Sequence, residues 1–335
     1  LKSYKILALT DHSGHSKENS IYALLSKMAA HPQCAAIDVA SRGSAINTPF
    51  FYENKGSEIW VHQADTSFDF DATGLQFEEG LVPMDVLAYD AIFMRLPRPL
   101  GADFLEYIAE LAKDKVIFNH PLGMEKTGNK AFLTNFPEVC PPIRLVHSIE
   151  AIMDFAKQFP IVLKPLKDYG GKGLLRLEGD RINDGEIWHS ASEYLQRIEN
   201  FIQKEGYLAM KYLKNVGQGD KRILVVNGEI MAASLRIPAE GSWLCNVAQG
   251  GRSITTKVTD RERAIIKTIT PTLLEAGILM FGADTLVNDD GQRVLSEINT
   301  LSIGGFPQAE AQTGQPVIHN TINKIMSFIT NEYRK

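Results

Sequence analysis

Residues 281–299, FGADTLVNDDGQRVLSEIN, admit little besides a β-hairpin. Strand-forming residues flank Asn288-Asp289-Asp290-Gly291, and Asp-Gly is a strong two-residue turn signal. With Asp290-Gly291 as the loop, Asp289 faces Gln292 and Asp284 falls opposite Glu297. Side chains alternate along a strand, so Glu297 and Asn299 share a face roughly 7 Å apart. Asp284 joins them across the ladder, with Cβ atoms about 5 Å apart. Opposed carboxylates destabilise a hairpin unless something positive lies between them. Asp, Glu and Asn form an all-oxygen set of the kind that suits Mg²⁺. A solvated acidic face without metal is the competing reading of the hairpin by itself.

The chain has 335 residues, more than one ordinary core holds, so two or three domains are expected. A net charge of −5 argues against a nucleic-acid partner, whose binding domains are usually basic. No apolar run reaches membrane-spanning length, so no membrane partner is expected. The opening LKSYKILALTD enters a strand pattern at once and lacks signal-peptide architecture. Cys34, Cys140 and Cys245 form neither a disulfide framework nor a zinc spacing, which points to reduced thiols in a cytoplasm.

In the first third, strands are expected over 4–10, 35–40, 90–95 and 116–119, with helices over 20–28 and 104–112. Alternating strands and helices imply a mostly parallel sheet covered on both faces. Ligands of such sheets gather beyond the carboxyl ends of strands, where Asp11, Ser20 and Arg95 fall. Residues 50–82 are polar and aromatic without clear periodicity. His12 and His15 read as solvated loop residues rather than a metal pair.

Farther on, GMEKTGNK (123–130) superficially resembles a phosphate loop, but Asn129 stands where lysine must follow the second glycine. Lys130, near the start of a helix expected over 130–136, could still reach a phosphate. Ser148 caps a helix. The strand IVLKP (161–165) carries Lys164 among apolar residues, either snorkelling or meeting an anion. The turn KDYGGKG (167–173) and a returning strand make either a flap over a nucleotide or an ordinary hairpin. A clean helix is expected over 192–206, with Tyr194, Leu195, Ile198, Phe201 and Ile202 as its core stripe, then a strand over 207–213.

The last third opens with a hairpin turning at Asn227-Gly228. In ideal register Lys221 and Arg236 share one face, and Asp220 and Arg222 the other. These cations suit phosphate or carboxylate binding, or else a charged outer sheet face. A long loop covers 239–257 and contains Asn246 and Arg252. Thr259-Asp-Arg-Glu262 is a capping box opening a helix that Pro271 should interrupt and kink. A final helix is expected over 316–333.

The order of these elements resembles the ATP-grasp ligases, most closely the prokaryotic-type glutathione synthetases. The resemblance rests on IFMR (92–95), GNKAF (128–132), VLKPLKDYGG (162–171), GDKRILVVNGE (219–229), RIP (236–238), GGR (250–252), PTLLEAG (271–277) and SEIN (296–299). It implies a multidomain α/β (α+β) fold. An N-terminal Rossmann-like parallel-sheet domain (1–122) would precede a two-part ATP-grasp domain (123–204 and 205–335). It also implies an ATP-dependent amide-forming ligase joining γ-glutamylcysteine and glycine. Alternatives are a different acid and amine, or a nucleotide-binding regulatory protein without turnover. By this resemblance Lys130 and Lys164 would bind the phosphates of ATP, under a flap containing Gly170 and Gly171. Met210, Lys211, Tyr212 and Leu213 would meet the adenine, with Asp220 nearby. Asp284, Glu297 and Asn299 would hold Mg²⁺, or Mn²⁺ in its place. Arg222, Arg236 and Arg252 would serve the transferring phosphoryl group, and Arg95, Ser20, Asn246 and Ser302 the substrates. A homo-oligomer is implied as well. The chain departs from the family at Leu244, where an arginine is usual, at Met210, and at Ser302-Ile-Gly-Gly305, where a Ser-Pro-Thr turn is usual.

Overall fold

The computed structural model describes residues 2–167, 172–239 and 252–333. Among these, three sheets follow one another along the chain. The first contains β1 (Tyr4–Thr10), β2 (Cys34–Ser41), β3 (Glu58–Ala64), β4 (Val82–Asp85), β5 (Ala91–Met94) and β6 (Val116–Phe118). Its order is β4-β3-β2-β1-β5-β6, with β2, β1, β5 and β6 parallel and the β3–β4 edge antiparallel. The parallel strands are mostly apolar, as suits strands covered on both faces, with Lys5 exposed near the start of β1 and Asp38 buried in β2. The stretch 50–82, unassigned from sequence, supplies β3. Its alternation is blurred because Trp60 and His62 sit half-buried on the outer face.

The second sheet is wholly antiparallel. It comprises β7 (Ile143–Val146), β8 (Ile161–Pro165), β9 (Leu175–Glu178), β10 (Arg181–Asn183), β11 (Trp188–Ser190) and β12 (Tyr207–Lys211). The order is β11-β10-β9-β8-β12-β7. Because β12 lies between β8 and β7, this sheet extends past the boundary expected at residue 204. Its core is its own, built around Ile152, Leu163, Leu177, Leu195 and Ala209. The helix expected over 192–206 is two pieces, Ala191–Arg197 and Glu199–Lys204. The break at Ile198 turns the stripe, so Phe201 is exposed rather than core.

The third sheet contains β13 (Asp220–Val226), β14 (Glu229–Ile237), β15 (Arg252–Thr255), β16 (Met280–Val287) and β17 (Arg293–Asn299), ordered β15-β14-β13-β16-β17. Its apolar faces share cores with the first sheet. Ile223 and Phe281 pack with Leu7 and Ile92, while Leu224 and Met280 pack with Ile6 and the C-terminal helix Val317–Glu332. The capping box at Thr259 and Glu262 forms as expected. The helix it opens runs unbroken through Pro271 to Glu275, so the expected interruption does not occur. Residues 130–135 form a 3₁₀ turn instead of an α-helix.

Both late hairpins contain a bulge. At Asn227-Gly228 the two-residue loop forms as expected, with Val226 opposite Glu229, but the register shifts between Leu224 and Val225. Asp220 therefore pairs with Arg236 and Arg222 with Ser234. The expected facing is overturned: Asp220, Arg222 and Arg236 share one face and Lys221 takes the other. In β16–β17 the loop is one residue longer than expected. Asn288 pairs with Gln292 through its N–H (2.8 Å), and Gly291 sits at φ +79°. A compensating bulge at Ser296 then restores Asp284 opposite Glu297.

Candidate active site

A cleft of about 590 Å³ runs from the ends of the parallel strands to β17. Asp11, His15, Asn19, Arg42 and Arg98 line one wall, and Lys130, Glu297, Asn299 and Ser302 the other. Asp284 sits behind Glu297 and Asn299 on the same sheet face and is 2% exposed.

Charge on this face is densely paired. Arg222 grips both oxygens of Asp284, with Nη2 at 2.7 Å from Oδ2. Arg236 bridges two carboxylates, donating to Asp220 through Nε at 2.7 Å and to Asp284 Oδ2 at 2.8 Å. Asn299 Nδ2 also donates to Asp284 Oδ2, at 3.3 Å. Burial pushes the Asp284 carboxyl up, but the two guanidiniums outweigh it and hold the group well below the usual carboxylate range. Asp220 shares Arg236 and yields: burial, then the charge on Asp284, push its carboxyl up to about 6.

Two lysines complete this end of the cleft. Lys130 Nζ lies 3.8 Å from Glu297 Oε1. Lys164 is buried and donates at 2.9 Å to the carbonyl of Ser296, the residue that the β17 bulge leaves unpaired. Burial lowers the Lys164 pKa, and the neighbouring charge of Glu297 opposes that shift. Lys164 therefore does not snorkel to solvent.

Of the other described residues singled out from sequence, Ser302 and His15 line this cleft, whereas Arg95, Ser20, Arg252 and residues 210–213 do not. Met210 and Leu213 are buried beside β8, and the N–H groups of Lys211 and Tyr212 are committed to the carbonyls of Pro142 and Pro160. The Lys211 side chain pairs with Asp289 at 2.8 Å. Arg252 is exposed on the edge strand opposite Ile237. Ser302 lines the cleft with φ +38°. Ser20 is fully buried, and its hydroxyl accepts the Gly305 N–H at 3.1 Å, so it braces the loop 302–305. Gly170, Gly171, Asn246 and the Leu244 departure lie outside the described residues. His12 and His15 do not converge on a common ligand: His12 bonds Ser41 at 2.7 Å and stacks on Phe77, while His15 bonds Tyr22 at 2.8 Å.

Arg95 is buried at the end of β5 and stacks over Phe93 at 5.6 Å. Among the described residues its Nε and Nη2 atoms have no hydrogen-bond partner, and burial lowers its pKa to about 10. A guanidinium held this way is costly without an anion. Sequence reasoning missed Arg42. Its guanidinium pairs with Asp11 at 2.7 Å and donates to the carbonyls of Pro99 (2.5 Å) and Pro97 (3.2 Å). It thus fastens the two loops that form the cleft wall. The available signal was a lone cation directly after a buried strand and before Gly43, where a Cβ would meet Ser13 Oγ at 2.5 Å.

The arrangement can neutralise a polyanion next to two carboxylates and an amide, which is a demand of phosphoryl transfer. Residues 129–314 match the family model for the prokaryotic glutathione synthetase ATP-grasp domain. Glutathione synthetase of Brucella melitensis biotype 1 is 31% identical over 240 residues, covering 70% of this chain and 72% of that protein. The Rhodopseudomonas palustris enzyme of the same name is 29% identical over 84% of this chain and 88% of its own length. Among solved structures, D-cycloserine synthetase DcsG superposes with a TM-score of 0.65 at 12% identity, over 97% of this chain and 99% of that one. The ATP-grasp ligase PsnB with its minimal precursor gives 0.60 at 14% identity, over 98% and 99%. These likenesses establish the fold, and the sequence matches establish that this chain belongs to the prokaryotic glutathione synthetase family of ATP-grasp ligases.

Proposed function

We propose that the chain joins γ-glutamylcysteine to glycine, using ATP to activate the dipeptide carboxylate. The observation that carries this reading is the convergence of Asp284, Glu297 and Asn299 with Arg222, Arg236, Lys130 and Lys164 at one end of the cleft. The acid's carboxylate oxygen attacks the γ-phosphorus of ATP, the bond to ADP breaks, and an acyl phosphate results. The amine nitrogen then attacks the acyl carbon, phosphate leaves, and the amine gives up a proton. Neither step needs a protein nucleophile; the chain supplies charge and position.

Lys130 and Lys164 take the nucleotide phosphates, and residues 210–213 with Asp220 take the base and its surroundings. Gly170 and Gly171 belong to the covering flap. Arg222, Arg236 and Arg252 balance the transferring phosphoryl group. Arg95, whose buried nitrogens want an anion, holds a carboxylate of the acid substrate, with Asn246, Ser302 and Ser20 in support. Asp284, Glu297 and Asn299 are oxygen donors on one face, a chemistry that fits Mg²⁺ or Mn²⁺. Such an ion, when bound, screens the phosphate charge from the incoming carboxylate. The reading extends to a cytoplasmic homo-oligomer, for which sedimentation is the check.

The test is ADP release with Mg-ATP, γ-glutamylcysteine and glycine, followed by a panel of other acids and amines. Release with the first pair is expected. Release only with another pair refutes the glutathione assignment. No release with any pair favours a nucleotide-binding regulator.

A further inference from the structure

The donors on Asp284 are all nitrogens. Oδ1 accepts from Arg222 Nε, and Oδ2 accepts from Arg222 Nη2, Arg236 Nη2 and Asn299 Nδ2. A small hard cation needs an oxygen lone pair at about 2.1 Å. Oδ2 is fully taken up, and the one lone pair left on Oδ1 belongs to a buried carboxylate whose charge two guanidiniums already neutralise. The local charge tells the same story. Arg222, Arg236, Lys130 and Lys164 face Asp220, Asp284 and Glu297, so four cations already outnumber three carboxylates. A divalent ion arriving alone would raise a positive field that nothing in this group offsets. The same ion arriving with a polyphosphate would not.

We propose that Arg222 and Arg236 act as resident counter-ions on Asp284, keeping the metal site latent until a nucleotide polyphosphate draws their guanidiniums away. The inference rests on the nucleotide-and-metal reading above and concerns the order in which that site fills. Phosphate oxygens offer each guanidinium the same planar two-point pairing that Asp284 offers now. Arg236 also keeps Asp220 as a pivot, so its head can turn without losing every partner. Release of Asp284 leaves an anionic oxygen beside Glu297 and Asn299 just when the phosphates bring an ion. Metal and nucleotide are therefore linked through two arginines that touch both in turn. A divalent cation in solution finds Asp284 already neutralised by two guanidiniums in the free protein.

Two measurements test this on the full chain. In the first, Mn²⁺ is titrated without nucleotide and free ion is followed by electron paramagnetic resonance. Wild type is expected to bind weakly and Arg236→Gln at least tenfold more tightly. Adding Asp284→Asn to that variant should remove the gain. Wild type binding as tightly as Arg236→Gln overturns the proposal. In the second, which needs no folded variant, arginine Nε–H signals are recorded by NMR. The Arg222 and Arg236 signals should move with Mg²⁺ plus a non-hydrolysable ATP analogue and stay in place with Mg²⁺ alone. Analogue binding that leaves both signals unmoved overturns the proposal while sparing the nucleotide reading. Failure to bind the analogue at all refutes both.

Discussion

The two sheets that border the cleft present their charges in different ways. The first sheet delivers them from strand ends: Asp11 follows β1, Arg42 follows β2 and Arg95 follows β5. The third delivers them from a face: Asp220, Arg222, Arg236, Asp284, Glu297 and Asn299 lie side by side across four strands. On the face, a ladder assigns each charge its neighbour as soon as register is set, and Asp284 meets two arginines that way. At a strand end no ladder does so. Arg42 finds Asp11, but Arg95 is left with two nitrogens unpartnered among the described residues. The face is electrostatically finished before any ligand comes, and the strand ends are not.

The sharpest way to break this comparison is at Glu297. Glu297→Gln should cut turnover at least a thousandfold, about 4 kcal/mol of barrier, with the unfolding midpoint unchanged. Wild-type rates in the ADP-release assay would remove Glu297 from the site. The two sides of β13 give the next test. Lys221 Nζ bonds Glu262 at 2.8 Å in the interior, where Thr285 and Thr259 also donate to that carboxylate. Lys221→Met leaves Glu262, among the described residues, only the more distant Arg293, at 3.9 Å, as a counter-charge and should cost about 3 kcal/mol in urea unfolding, whereas Arg222→Met should chiefly lower turnover. Equal losses of stability would mean that the two faces do not divide the work.

Arg95→Met sharpens the strand-end half. It should raise KM for the acid substrate by about a hundredfold, roughly 2.7 kcal/mol. Stability should hold or improve, because an unpaired buried cation is removed. A fall in stability would show that Arg95 has a protein partner in solution. The smallest effect concerns His15, whose pKa burial, then the charges of His12 and Arg95, lower from 6.5 to about 4. The unfolded chain takes up the proton first, so this contribution is whole above pH 6.5 and is lost as pH falls toward 4. After discounting for partial exposure it is ~1 kcal/mol. Unfolding at pH 7 and pH 5 should show the difference, and His15→Gln should flatten it.

The same contrast explains what could be read from the chain. Alternation and turn residues were enough for most of the long strands, for the capping box at Thr259 and for the pairing of Asp284 with Glu297, but not for β3 or for the short strands β4, β7, β10, β11 and β15. That pairing was reached through two offsetting departures: a loop longer than Asp-Gly alone suggests and an extra residue at Ser296. In β13–β14 a single bulge had nothing to offset it, and Lys221 changed places with Asp220 and Arg222. Bulges answer to the packing around them, which adjacent residues do not encode. Arg42 was overlooked for a related reason. Besides Asp11, its partners are carbonyls of Pro97 and Pro99, more than fifty residues away, and backbone acceptors carry no side-chain signature.

Ser296 has one more consequence. Leu295 pairs with Thr285 and Glu297 with Asp284, so residues two apart in β17 face opposite ways. A chain shortened by this one serine would keep an unbroken ladder, with its acid still across from Asp284. It would lose the carbonyl to which Lys164 is now tethered. Two relatives could therefore match at every charged column and still hold that lysine differently, with a one-residue gap as the visible trace.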